Sequence, residues 1–182
     1  MSDSLSDYRR SRMPNENQKS FGWTIFRAKP GKQTKLLILS DDIFGIETHW
    51  WNQRTGPCRE HGCEACLAGH ESRWKGYLLC FDMATEQHVV LEFTPPPAET
   101  LDAARMNHGS LRGLVVNVGR AKATFNGKVT IEIKQKTTIP PSKHEVFGVW
   151  DVLCKIWKLK SSVNPKRFKG DDDDHMILGE PA

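Results

Sequence analysis

From residue 21 onward the chain is written in short, strand-length blocks of apolar and aromatic residues. "FGWTIFRA" and "TKLLIL" are separated by "KPGKQ", whose Pro-Gly pair signals a turn, and "DIFGIETHWW" is a third extended run. "RWKGYLLCFDM" and "HVVLEFT", joined by "ATEQ", predict a hairpin. "LRGLVVNVGRA" and "KVTIEIKQK" predict a second, because Asn126-Gly127 between them is the strongest hairpin turn signal in the chain. In "KVTIEIK", Val129, Ile131 and Ile133 alternate with Lys128, Thr130, Glu132 and Lys134, so one face is buried and the other wet.

Two stretches have a different period. "PPPAETLDAARMNHG" opens with prolines, carries Glu99 and Asp102 early and closes on Gly109, which predicts a short helix over 97–107. In "PPSKHEVFGVWDVLCKIWKLK", Val146, Val149, Trp150, Leu153, Ile156 and Trp157 recur at helical spacing. That stripe suits docking onto the body of the protein better than holding a cofactor. No internal repeat is visible. The order is strands, a cysteine-bearing insertion, a hairpin, a short helix, a second hairpin and a helix. It predicts a mainly β protein: a small five-stranded OB-like barrel with a metal-binding insertion and one or two helices. Other small β-barrels fit the order nearly as well.

Residues 1–20 are polar, with a basic cluster at Arg9, Arg10 and Arg12, and read as a flexible arm. Residues 21–160 then form the OB-like domain with its metal loop at 49–70, and 161–182 an acidic tail. The tail changes the meaning of the formal charge of +4. Residues 171–182, "DDDDHMILGEPA", hold five acidic and no basic residues, so residues 1–170 carry 26 basic against 17 acidic, a balance of +9. A basic body with an acidic tail suggests a polyanionic partner. Mean hydropathy is −0.54 and no run approaches the ~18 apolar residues of a membrane helix, so no membrane partner is expected. The N-terminus has no apolar core of an export signal, which points to the cytoplasm.

Three of the five cysteines, Cys58, Cys63 and Cys66, fall within nine residues. Thiols kept reduced for a metal fit this clustering better than a disulfide framework. Cys63-Glu-Ala-Cys66 offers two thiolates from one tight turn, and Gly56-Pro57 can bend Cys58 back toward them. Zn²⁺ needs a fourth ligand, for which His49, His61 and His70 compete. His61 lies two residues from Cys63, where side chains diverge in an extended segment. His49 ends a strand and has a long loop to fold back, so it is preferred. His61 and His70 stay as alternatives.

Four protein ligands leave no open position, so the expected site is structural rather than catalytic. The His-x-Glu…Pro-Cys-x-x-Cys pattern of the zinc deaminases is not met, and neither His-Glu-x-x-His, a phosphate loop nor Gly-x-Ser-x-Gly occurs. No enzyme activity is expected. A nuclease using the histidines is disfavoured for want of a carboxylate cluster.

Around the cysteines, aromatic and basic residues interleave: Trp50, Trp51 and Arg54 before them, Arg73, Lys75 and Tyr77 after. Arg112, Arg120, Lys122 and Phe125 form a second group on the later hairpin. Positive charge tracks phosphates and exposed rings stack on unpaired bases, so these ten are the candidate DNA-binding residues. Any single tryptophan among them is more often a core residue than a stacking platform, so the reading rests on the combination.

The ligand order His49…Cys58…Cys63-x-x-Cys66 resembles that of the zinc-containing, single-stranded-DNA-binding OB-fold proteins of large tailed bacteriophages. Tyr8-Arg9-Arg10-Ser11-Arg12 resembles the basic, hydroxyl-containing segment that this family uses for cooperative self-association. Asp171 to Asp174 resembles its acidic tail, which recruits replication and recombination proteins and competes with DNA for the basic groove. The resemblance implies single-stranded DNA as partner, with RNA also possible, and a role in replication, recombination or repair. A protein-interaction or transcription-regulating zinc module is the alternative.

Overall fold

The computed structural model describes residues 22–59, 61–121, 128–138, 148–160, 163 and 165. The basic arm, the acidic stretch 171–182, Lys122, Phe125, the Asn126-Gly127 turn and Val146 lie outside the described residues. In chain order the elements are β1 (Thr24–Phe26), β2 (Thr34–Ile38), β3 (Phe44–Trp51), β4 (Arg54–Pro57), α1 (Glu64–Leu67), β5 (Arg73–Asp82), β6 (Gln87–Phe93), α2 (Pro95–His108), β7 (Leu114–Arg120), β8 (Val129–Lys136) and α3 (Val149–Trp157). The described residues divide into two compact units, one of 22–44 with 76–160, the other of Gly45–Lys75 with 163 and 165.

The first unit, the body, is built on a sheet of strand order β1-β6-β5-β2-β7-β8. All neighbours are antiparallel except β1 and β6, which run parallel with Ile25 opposite Val90. Register sorts the side chains into two faces, because directly opposed residues point the same way. One face collects Leu36, Ile38, Leu78, Cys80, Val89, Leu91, Val116 and Val118, every one of them buried. Each fully buried aliphatic side chain contributes about 1.5–3 kcal/mol. Val129, Ile131 and Ile133 continue the alternation on β8, where they are half-buried at the sheet edge.

The expected barrel closure is not seen. Among the described residues the sheet is an open path, and no ladder joins β6 to β8. The outer edge of β6 is taken over Val89–Leu91 by β1 instead. Pairing between segments so far apart in sequence has no local signature.

Helix α2 begins two residues earlier and ends one later than the sequence predicts. Thr94 is its N-cap, Pro95 to Pro97 fill its first turn, and Gly109 closes it at φ 74°, a left-handed cap that favours glycine. It packs against β8, with Pro97, Leu101 and Ala104 buried. Helix α3 is the shorter realisation of the second helical stripe. Its Trp150 stacks near Phe44 at 6.0 Å and meets Trp157 at 6.3 Å, and Trp157 meets Tyr77 edge-on at 5.7 Å. This aromatic chain covers one end of the second sheet face, as the docking reading expects. No described helix is long and apolar enough to cross a membrane.

Leu153 of α3 is fully buried, whereas Met106 of α2 is 76% exposed. Leu153→Ala is expected to lower unfolding free energy by about 2–5 kcal/mol and Met106→Ala by less than about 0.5, read by urea denaturation.

Candidate metal centre

The second unit is organised by a hairpin that the cysteine-centred reading missed. β3 and β4 pair antiparallel with His49 opposite Gly56, Trp50 opposite Thr55 and Trp51 opposite Arg54. Asn52 (φ 50°) and Gln53 (φ 61°) make the two-residue turn, and two successive positive φ values match the right-handed twist of the strands. Asparagine tolerates that region, so Asn52 was the available signal, but Asn-Gln is far weaker than Asn-Gly.

Three local features then bring the ligands together. The Cys58 N–H donates to Glu47 O at 2.8 Å, fixing the chain as it leaves β4. Gly62 turns it at φ 64°. Cys63 is the N-cap of α1, whose single turn carries Cys66 back beside it, with Leu67 N–H donating to Cys63 O at 3.0 Å. Beneath the hairpin, Thr48 Oγ1 donates to Arg73 O at 3.0 Å. Gly45 leaves room for Trp74, whose Nε1 would lie 2.7 Å from any Cβ there.

The result is four donors, one each from His49, Cys58, Cys63 and Cys66, all within 4.8 Å of one another. His49, Cys58 and Cys63 are buried, and Cys66 is exposed. None of the five cysteines forms a disulfide. The spacing fits a tetrahedral ion. With metal–sulfur bonds of about 2.3 Å and metal–nitrogen bonds of about 2.0–2.1 Å, the tetrahedron's edges are about 3.5–3.8 Å. Cys58 Sγ lies 3.5 Å from Cys66 Sγ, and Cys66 Sγ lies 3.3 Å from His49 Nε2.

The imidazole is prepared for that role. Its Nδ1 is 3.1 Å from Glu71 O, so an Nδ1–H donates to the carbonyl and leaves the Nε2 lone pair aimed at the sulfurs. His61 and His70 are exposed, and His70 instead lies edge-on to Trp51 at 4.5 Å. The structure therefore brings His49, and neither rival, to the three cysteines.

Electrostatics point the same way. Burial pushes the Cys63 thiol up, but N–H groups of Arg59 and Cys66 aimed at its sulfur outweigh burial and draw it down to about 6. Burial, the Cys66 side chain and the charge on Cys63 push Cys58 up to about 12. A thiolate thus forms readily on Cys63 and opposes one on Cys58, and a divalent cation between them would favour both.

The ten candidate nucleic-acid residues separate. Trp50 is 64% exposed, and Arg54 and Arg73 are exposed. Trp51 is half-buried and packs against Cys58, Cys63 and Ala65, so it belongs to the wall of the metal site. Lys75 is half-buried. Tyr77 is fully buried, its hydroxyl donating to Glu92 Oε2 at 3.0 Å, which removes it as a stacking platform. Arg112 is half-buried and donates to Leu39 O, and half-buried Arg120 donates to Ala28 O at 2.6 Å. Both guanidinium groups are engaged by backbone carbonyls. Lys122 and Phe125 lie outside the described residues.

His49→Ala is expected to abolish stoichiometric metal binding by elemental analysis of the purified protein, while His61→Ala retains a full equivalent. Because protons compete for the thiolates, metal retention is expected to fall as pH is lowered. No protein-family model, curated protein or solved structure matches this chain.

Proposed function

We propose that the chain is an OB-type protein that binds single-stranded DNA without strong sequence preference, acting in replication, recombination or repair, with a structural zinc ion in its second unit. The path β6-β5-β2-β7-β8, with α2 between β6 and β7, supports this fold reading. It is the arrangement in which the first of five barrel strands lies between the second and fourth. Three sulfurs and one imidazole nitrogen suit zinc, and four protein ligands exclude a reactive water. The ion's contribution is to tie His49 of β3 to the Cys58–Cys66 segment.

The observation that carries the function is Trp50. The strand that delivers His49 to the cluster presents the next side chain, an indole 64% exposed, on its opposite face. A rigidly supported exposed ring stacks on an unpaired base at ~1–3 kcal/mol. Arg54 and Arg73, exposed in the same unit, supply charge for the phosphates. Tyr8 to Arg12 would favour self-association, and Asp171 to Asp174 would recruit replication or recombination proteins and compete with DNA. RNA would be bound by the same chemistry. The cytoplasm of a bacterium or infected host is the compartment proposed.

A protein-interaction or transcription-regulating role is the second reading. It is favoured by Leu67 of α1, an aliphatic side chain 84% exposed.

Fluorescently labelled oligo-dT is expected to bind the zinc-loaded protein, with affinity falling steeply as salt rises. Trp50→Ala is expected to weaken binding roughly 5- to 100-fold by anisotropy titration. Absence of binding at low salt would leave the protein-partner reading in its place.

A further inference from the structure

The second face of the body's sheet carries a cluster that the sequence pattern did not single out. Phe81 of β5 is opposite His88 of β6 and also opposite Leu37 of β2, so all three point to one face. Trp23, one residue before β1, meets His88 with ring centroids 4.8 Å apart at 47°, and His88 meets Phe81 at 5.4 Å and 65°. Three rings therefore run side by side across β1, β6 and β5. All three are half-buried, in contrast to Tyr77, on the same face of β5, which is fully buried under α3.

The adjoining segment is strongly basic. Residues 27–35 contain Arg27, Lys29, Lys32 and Lys35 and no acidic residue, and all four are exposed. The segment is held against the body. Arg120 of β7 donates to Ala28 O, and the missing side chain of Gly119 makes room for Gln33, whose amide nitrogen would lie 2.5 Å from a Cβ there. Lys35 shares the face of Leu37 and Phe81 through strand alternation. Of the nearby carboxylates, Asp82 is buried and accepts the N–H groups of Ala84 and Thr85, while Glu86 is exposed in the same turn.

We propose that this row is a base-stacking site for single-stranded nucleic acid, with unpaired bases laid on Trp23 and Phe81 and the backbone phosphates running along Arg27, Lys29, Lys32 and Lys35. The proposal rests on the single-strand-binding reading and gives it a second contact surface, made by the body alone. A ring that reaches the surface can take an unpaired base, and cations spaced along a segment match a phosphate backbone. His88 braces both rings from between.

The test uses the full, zinc-loaded chain with labelled oligo-dT, oligo-U and an abasic strand of the same length. Trp23→Ala and Phe81→Leu are each expected to weaken oligo-dT binding roughly 5- to 100-fold while leaving abasic-strand binding unchanged. An effect confined to strands with bases separates stacking from loss of fold, and thermal melting of each variant confirms it. Replacing Arg27, Lys29, Lys32 and Lys35 together by alanine is expected to flatten the plot of log K against log salt by about 3, since each single-strand phosphate contact contributes about 0.7. If the wild-type protein binds oligo-dT and loses it on Trp50→Ala, yet keeps it unchanged in the Trp23 and Phe81 variants, the sheet site is overturned and the hairpin reading stands. If the wild-type protein binds none of the strands, both are overturned.

Discussion

Everything in the second unit depends on one imidazole held at both nitrogens. Glu71 O accepts the Nδ1 proton, and Nε2 is left 3.3 Å from Cys66 Sγ, inside a group of three sulfurs. An imidazole whose Nδ1–H is held by a carbonyl presents Nε2 as a ligand to a cation. Among its described residues the segment Gly45–Lys75 buries few apolar side chains, Ile46 on β3 and a cluster of Cys58, Cys63 and Ala65 with Trp51 against it. So little buried carbon offsets little conformational entropy, and a unit of this size ordinarily needs a metal or cross-link to hold. Two of the three residues of that cluster are themselves candidate ligands, so the metal site and the cluster coincide.

The same arrangement explains how adjacent tryptophans acquire opposite roles. Strand alternation sends Trp51 to the side of His49, where it walls the cluster, and sends Trp50 to the other side, into solvent. The body divides its sheet in a comparable way. One end of a face is sealed by the Phe44, Trp150, Trp157 and Tyr77 rings, while Trp23, His88 and Phe81 are half-buried on that face, beside a segment with four cations and no carboxylate.

What was legible in the sequence was what local spacing dictates. Cys63-x-x-Cys66 needs only a tight turn, Val129, Ile131 and Ile133 need only the pleat, and Gly109 needs only its own backbone angle. His49 could be preferred over His61 because a strand end gives support, although the bond to Glu71 that completes the argument lies 22 residues away. What was not legible was set by distant pairing. Tyr77 and Arg73 share a strand face by count, yet the first is buried against Trp157 of α3 and the second is exposed. Arg112 and Arg120 look like surface charge until Leu39, just past β2, and Ala28 bring carbonyls to them. The open edge arises because β1 pairs with a strand more than sixty residues away. The ring row is assembled from three strands, and no window of sequence contains it.

The most direct test of the account is hydrogen–deuterium exchange of the full chain with and without a zinc chelator. The amides of Cys58, Leu67 and His70, bonded to Glu47 O, Cys63 O and Ala65 O, report the metal unit. Those of Leu39 and Thr137, bonded to Leu79 O and Gly113 O, report the body. Chelation is expected to strip protection from the first group and leave the second protected. Unchanged protection at Cys58, Leu67 and His70 after the metal has been removed would contradict the claim that a metal ion holds the second unit together.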